Sequence, residues 1–240
     1  MTVDGWTQTV RHQLGLGRLL PLGGPRDGAW ITERAAEAVL RLAASRDLPE
    51  VRLGTLRIAA AAPEDTDEPA VPPPPSGLPP GPLRVTADFA AAPSGPLPAT
   101  ASRLRAILAT AAAEDLGLTV TEVDLRVTAL LDEEPEPAVV RPPEPPTAAA
   151  TVDSAESRAA AAALGVPGVS RLTGTLGGLG RAVHLEERRG ETALPHRHAR
   201  VEIAVRAGHR AVDVAREVRA AVSEALPDHP TVAVLVTTVS

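Results

Sequence analysis

The residues best suited to chemistry in this sequence are two histidines and a carboxylate near the start of a predicted strand. His196 and His198 lie two positions apart, and Glu202 follows four positions after His198. Because alternate residues of a strand share one face, these side chains could together bind Zn²⁺ or Ni²⁺. The same spacing is typical of a solvent-facing strand surface that also carries Arg200, with Val201 on the opposite, apolar face. We favour the solvent-facing interpretation and predict no metal site.

A glycine-rich stretch is the second candidate site, in this case for binding a phosphate group. Gly174, Gly177, Gly178 and Gly180 precede Arg181. Backbone N–H groups of such a loop can cradle a phosphate, and the arginine would assist. The stretch lacks a Gly-Lys-Ser/Thr ending, however, and it precedes a strand rather than a helix. It therefore predicts a flexible turn, with a nucleotide loop as the alternative.

Several classes of chemistry are excluded by residue type. The chain has no Cys, so it has no disulfide framework, thiolate nucleophile or Cys-ligated metal centre. Ser and Thr occur without a G-x-S-x-G elbow or a Ser, His and acid order that suits a triad. Acidic clusters at residues 64–68 and 132–134 lie in Pro-rich stretches, where charge favours solvation. We predict no catalytic residues, no cofactor and no enzymatic activity.

Composition narrows the range of partners. The net charge of −6 and the isoelectric point near 5.6 disfavour nucleic acid and anionic membranes. No apolar run reaches the roughly 18 residues of a bilayer span, so we expect a cytoplasmic protein without direct membrane insertion. Trp6, Val10 and Leu14 share one helical face, and residues 1–22 are predicted to dock on the first of the two structural units described below. A membrane-surface helix is the alternative for this segment.

Two Pro-rich, acidic segments at residues 63–82 and 132–146 are predicted to stay outside any packed core. The second segment splits the chain, and the same order of elements lies on either side of it. Helices are predicted at residues 31–45, with Thr32 as N-cap, and at 97–114, 153–164 and 211–225. Strands are predicted at 51–60, 83–89, 122–131, 180–186, 199–205 and 231–239, the last inside a sheet.

This order predicts an α+β protein of two tandem αββαβ units, each with two helices packed on a small sheet, joined by a Pro/acidic linker. The predicted divisions are a docking segment at 1–29, a first unit at 30–131 with a Pro-rich insertion at 63–82, a disordered linker at 132–152, and a second unit at 153–240. The run Pro72-Pro73-Pro74-Pro75 could dock in an aromatic-lined groove of a partner, but a stiff spacer is the default interpretation.

The predicted turn at residues 166–172 has a residue pattern that is found in a known protein family. After the third predicted helix come Val166, Pro167, Gly168 and Val169, with Leu172 three positions later. Together with the glycine-rich stretch and the elements that follow it, this pattern resembles the alkaline-shock protein family of Gram-positive bacteria over residues 153–240. Residues 48–53 are a weaker counterpart in the first half. The turn residues suit a tight turn with apolar anchors.

The whole chain is similar to longer actinobacterial relatives of that family, some of which carry a label borrowed from a nucleopolyhedrovirus protein. The resemblance implies a cytoplasmic protein of the envelope or alkaline stress response, which self-associates or reaches the membrane through a partner. We therefore expect a non-enzymatic structural or interaction protein. Its expected partners are itself or another alkaline-shock-like or membrane-anchored envelope protein. The alternative is a small-molecule or nucleotide-binding regulatory protein that uses the glycine-rich turn and Arg181.

Overall fold

The computed structural model describes residues 17–93, 95–133, 135, 139–149, 154–175, 180–188 and 196–240, which form four helices and two β-sheets. Sheet A contains Leu19–Leu22 (β1), Ala29–Thr32 (β2), Val169–Leu172 (β6), Val183–Arg188 (β7), His196–Val205 (β8) and Thr231–Val239 (β9). Sheet B contains Val51–Ala60 (β3), Leu83–Ala91 (β4) and Val120–Leu130 (β5). The helices are Glu33–Asp47 (α1), Leu97–Thr110 (α2), Ser154–Leu164 (α3) and Ala211–Ala225 (α4), and Ala111–Leu116 extends α2 as a π-helical turn.

Both sheets are mixed. In sheet B, β4 lies between β3, which is antiparallel to it, and β5, which is parallel to it. Sheet A has the order β1-β2-β9-β8, and β6 and β7 both pair with β8 antiparallel. Strand β9 is parallel to both of its neighbours, β2 and β8. The predicted interior position of residues 231–239 is therefore confirmed.

The helices join the two sheets through one hydrophobic core. Helix α1 starts after Thr32, whose Oγ1 accepts the N–H of Ala35 at 3.3 Å, as the sequence predicts. It contacts β9 of sheet A and β3 of sheet B, and its buried side includes Leu40. Helix α4 buries Val214, Val218 and Val222, which follow a 3.6-residue pattern. A single cluster of buried residues contains members from both sheets and from all four helices.

The N-terminal region differs from its prediction. Residues 29–32, assigned in part to the first helix, form β2, and Ile31 lies opposite Val236 of β9. The hairpin of β1 and β2 thus joins sheet A, whereas the predicted docking surface was the first unit. A second anchor is the bidentate pair between Arg216 and Asp27, at 2.8 and 2.9 Å, which lowers the pKa of Asp27. The predicted helical face of residues 6–14 lies outside the described residues.

The Pro-rich insertion also departs from its prediction. Residues 70–78, here called the strap, cross the face of sheet A that is remote from the helices. Val71 is 3% exposed and packs with Leu19, Trp30 and Leu235, and the Trp30 Nε1–H donates to the carbonyl of Leu78 at 3.0 Å. The expectation that this segment stays outside a core is therefore wrong. Its few apolar residues suffice because the sheet face beneath them is itself apolar.

Part of the predicted disordered linker is hydrogen-bonded to the fold. The N–H of Ala149 donates to Gly180 at 2.8 Å, and the N–H of Gly174 donates to Pro146 at 3.2 Å. Thr147 forms an isolated antiparallel bridge with Thr173. Residues 145–149 therefore lie along the end of β6, which corrects the linker prediction for these residues. The carbonyl groups of prolines still accept hydrogen bonds, so a Pro-rich segment can pair in this way.

Among the described residues, no helix combines the length and apolar character that a bilayer crossing needs.

Candidate functional site

The structure does not bring the three candidate metal ligands together. His196 lies exposed at the start of β8, whereas His198 and Glu202 are 4% and 0% exposed. Four residues along a strand separate His198 from Glu202 by about 13 Å, which is too far for a shared ion. No group of three or more possible metal ligands occurs among the residues that the structure describes.

Glu202 is instead buried and hydrogen-bonded. Its Oε2 accepts the N–H of Thr175 at 2.6 Å, and Nδ1 of His198 lies 2.8 Å from Oγ1 of Thr231. The prediction that these two side chains face solvent is therefore wrong. The alternation along β8 correctly separates two faces, but both faces of this strand are covered.

The glycine-rich turn is described only at its two ends, because residues 176–179 lie outside the described residues. Its ends are close together, and a Cβ at Gly174 would clash with the carbonyl of Gly180. Nη1 of Arg181 lies 3.3 Å from Oε2 of Glu156 on α3. The charge of Arg181 is thus already balanced by a carboxylate, which weakens its suitability as an anion ligand.

The residues that carry the family resemblance form the turn between α3 and β6. Gly168 has a φ of +90°, and its carbonyl accepts the N–H of Arg206 at 2.8 Å. Val166 and Val169 are buried, Pro167 is exposed and Leu172 is partly buried. A side chain at Gly168 would also crowd Val214 of α4, so the glycine allows the turn to lie close to α4.

One histidine has a perturbed pKa. Burial lowers the pKa of His184 on β7, and the positive charge of Arg200, directly across on β8, lowers it further. The Nε2 atom of His184 lies 3.1 Å from the carbonyl of Arg181. This histidine lies at the edge of sheet A. A proton on its ring would be repelled by the positive charges of Arg200 and Arg181.

Sheet B presents a different kind of surface. The face of sheet B remote from the helices, here called the open face, carries polar side chains in register across β3, β4 and β5. Its members are Arg57, Arg84, Thr86, Asp88, Glu122, Asp124 and Arg126. Arg126 binds Asp88 through two hydrogen bonds of 2.8 and 3.0 Å, which lowers the pKa of Asp88. Arg84 lies 2.6 Å from Glu122 and 3.5 Å from Asp124.

The two edge strands of sheet B, β3 and β5, differ in how many of their outer backbone groups are hydrogen-bonded to side chains. On β3, Oε1 of Glu33 accepts the N–H of Ile58 at 3.1 Å, and Arg41 donates to the carbonyls of Leu53 and Gly54. Side chains from α1 therefore bind three backbone groups of β3. Capping of this kind blocks the addition of another strand.

The outer edge of β5 has fewer contacts with side chains from the helices. Among the described residues, β5 pairs with a strand on the β4 side only. Arg105 of α2 donates to the carbonyl of Val123 at 3.1 Å, which shows that this carbonyl points away from β4. Val127 and Leu130 are 41% and 64% exposed. An eleven-residue edge strand with exposed apolar side chains is suited to pairing with another strand.

The sequence predicts a strand at residues 122–131 but does not identify the edge of this strand as a candidate surface. The available signal was the alternation of Glu122, Asp124 and Arg126 with Val123 and Leu125, which is typical of a strand with one solvent face. The pattern could not indicate which strand would occupy an edge.

A shallow groove of about 260 Å³ lies between α1 and α2. Its polar lining includes Arg46, Asp47, Glu114 and Asp115, and Arg46 is already paired with Asp47 at 2.8 Å. The groove has an excess of carboxylates without a convergent set of donors, so it offers no clear ligand chemistry.

No family model matches the chain, and no curated protein is significantly similar to it.

Proposed function

We propose that this chain is a non-enzymatic interaction protein that acts by self-association or by binding a protein partner through the outer edge of β5. The observation that carries the proposal is the combination of an eleven-residue edge strand, a backbone carbonyl at Val123 directed away from the sheet, and exposed Val127 and Leu130. Strand addition at such an edge uses main-chain hydrogen bonds for affinity and side chains for specificity.

We further propose that the architecture consists of two tandem αββαβ units at residues 30–131 and 153–240. The matching connectivity of the two halves supports this. In the first half, antiparallel β3 and β4 are followed by α2 and by β5, parallel to β4. In the second half, antiparallel β7 and β8 are followed by α4 and by β9, parallel to β8. The hairpin of β1 and β2 then extends the second sheet.

The cellular setting of the proposal comes from the resemblance to alkaline-shock proteins at Val166–Val169 and the following elements. It is a role in envelope or alkaline stress in the cytoplasm, with contact to the membrane made through a partner. The partner is a second copy, another alkaline-shock-like protein or a membrane-anchored envelope protein. The net charge of −6 supports a protein partner over nucleic acid.

Light scattering coupled to size exclusion tests the self-association. We expect a mass near the chain's 24.7 kDa at low concentration that increases as the protein is concentrated. A constant monomer mass over the whole range would contradict self-association.

The alternative function, a small-molecule or nucleotide-binding regulatory protein, has a separate test. Thermal unfolding in the presence of nucleotides or divalent metals measures binding to the native state. We expect no saturable increase in the Tm, because Arg181 is paired with Glu156. A large, saturable increase would favour the regulatory protein instead.

A further inference from the structure

We infer that the occupant of the β5 edge is a second copy of this chain, paired antiparallel about a two-fold axis at Leu125. This inference deepens the proposed function and rests on it. The resulting assembly would join two copies of sheet B into one six-stranded sheet, β3-β4-β5-β5-β4-β3. A two-fold axis makes the same surface serve both copies, so the strand must be complementary to itself.

The backbone of β5 meets the first requirement. The register between β4 and β5 is unbroken from Glu122 to Val127, because the irregularities lie before and after this stretch. The carbonyl of Val123 points away from β4, and backbone groups along a regular strand alternate in direction. Leu125 and Val127 therefore present their N–H and C=O groups to the same outer side. These three residues pair with one another when Leu125 lies on the axis.

The charges on the open face meet the second requirement. With Leu125 on the axis, Asp124 of each copy lies opposite Arg126 of the other. Directly opposite side chains have Cβ atoms about 5 Å apart, so two ion pairs form across the interface. Asp124 and Arg126 have side chains that are 64% and 76% exposed, which leaves them free to approach a second copy.

Neighbouring registers are disfavoured by the same charges. An axis at Asp124 or at Arg126 places that residue against its own copy, and an axis at Val123 places Glu122 against Asp124. Like charges directly opposite one another destabilise strand pairing. The axis at Leu125 avoids all of these contacts, so the charges of β5 favour it over these three registers.

The existing ion pairs on the open face line up with those of the proposed interface. Within each copy, Arg126 binds Asp88 and Asp124 lies near Arg84. Adding the second copy creates a row in which Arg84, Asp124, Arg126 of the other copy and its Asp88 alternate in sign. Networks of this kind stabilise more than isolated surface pairs do.

Apolar side chains on the helix-facing side complete the match. Val123 lies opposite Val127 of the second copy, and Leu125 lies opposite itself. This pairing would cover Val127, which is 41% exposed in the single chain. The side chain of Arg105 does not block the contact, since a carbonyl can accept two hydrogen bonds and Arg105 is exposed.

The interface is small. Pairing of one strand buries less than the roughly 1,200 Å² of stable complexes, so we expect a dimer that dissociates on dilution. The measurements therefore use light scattering over a wide range of protein concentration.

Charge exchange tests the register. D124R and R126D each place like charges opposite one another, so each alone should weaken the dimer by roughly tenfold or more. The double variant D124R/R126D restores opposite charges and should dimerise again. An equimolar mixture of D124R with R126D should also form a dimer, because residues 124 and 126 then carry opposite charges in both pairs that cross the interface. Circular dichroism of each variant reports whether the fold is retained.

A second variant avoids the charges altogether. Val127→Lys adds a buried charge to the proposed interface but little strain to the single chain, because the site is already 41% exposed. Leu42→Lys on α1 is the matched control, since Leu42 is 52% exposed and lies away from β5. We expect V127K to remain monomeric and L42K to dimerise like the unmodified chain.

The outcomes separate the inference from the proposed function. A dimer that persists in V127K, or a charge-exchange mixture that stays monomeric while the unmodified chain dimerises, overturns the pairing at β5 and leaves self-association intact. An unmodified chain that is monomeric at every concentration overturns both the pairing and self-association. Loss in the single variants with recovery in the double variant and the mixture supports the register at Leu125.

Discussion

The described residues cover both faces of sheet A but only one face of sheet B. The helices pack on one face of sheet A and the strap packs on the other, so nearly every residue of β9 is buried. Sheet B has the same helical layer on one side and the open face on the other. The difference shows that one chain can contain a sheet buried within it and a sheet with one polar face accessible to solvent.

Two glutamates illustrate the contrast. Glu202 on β8 and Glu122 on β5 both alternate with apolar residues along their strands. Glu202 is fully buried and accepts the N–H of Thr175, whereas Glu122 is exposed and pairs with Arg84. Alternation therefore separates the two faces of a strand but does not indicate whether the polar face remains in solvent.

The largest expected effect comes from removing the aromatic side chain beneath the strap. Trp30→Ala deletes a 1% exposed side chain and its hydrogen bond to Leu78. We expect a loss of about 3–5 kcal/mol in the free energy of unfolding, measured by urea denaturation. The matched variant Thr86→Ala on the open face should change this free energy by less than about 0.5 kcal/mol. Similar losses in both variants would contradict the contrast between the sheets.

A smaller loss of stability is expected when Glu202 is replaced, and none when Glu122 is replaced. Glu202→Met keeps the length of the side chain but leaves the N–H of Thr175 without its carboxylate acceptor. We expect a loss of about 1–3 kcal/mol in the free energy of unfolding. Glu122→Met should leave the urea midpoint unchanged within error, because its pair with Arg84 is exposed to solvent. Equal midpoints for the two variants would show that Glu202 is not needed to satisfy the backbone.

The smallest effect concerns the pH dependence of stability. Burial and Arg200 lower the pKa of His184 in the folded chain from its ordinary value of 6.5. The unfolded chain then binds a proton more readily, so stability should fall as the pH decreases below about 6.5. His184→Gln removes this proton uptake and should flatten the curve of the urea midpoint against pH in that range. A curve that is the same for the variant and the unmodified chain would rule out His184 as the cause.

Several elements could be predicted because local pattern decides them. The bounds of β3 and β9 agree with their predictions, and Thr32 caps α1 as expected. The hairpin of β1 and β2 was not predicted, because its short apolar strands are stable only against β9, some 200 positions later in the chain. The strap was assigned to solvent because its composition is Pro-rich, and composition carries no information about the face it contacts.

For the candidate surface, the sequence predicted the strand at β5 and its charge pattern, but it gave no sign that β5 lies at an edge. Strand order depends on pairings between distant segments, such as Val85 with Val123. The same is true of the cover over Glu202 and of the cap that Glu33 provides for β3.

Local periodicity and capping thus determined the helices, most strands and the sidedness of each, because these depend on neighbours within a few residues. Only the tertiary structure decided which faces are buried, which edges are capped and that β5 pairs on one side only among the described residues. The physical reason is that burial and strand order depend on contacts between segments far apart in the chain, and these contacts leave no short-range pattern.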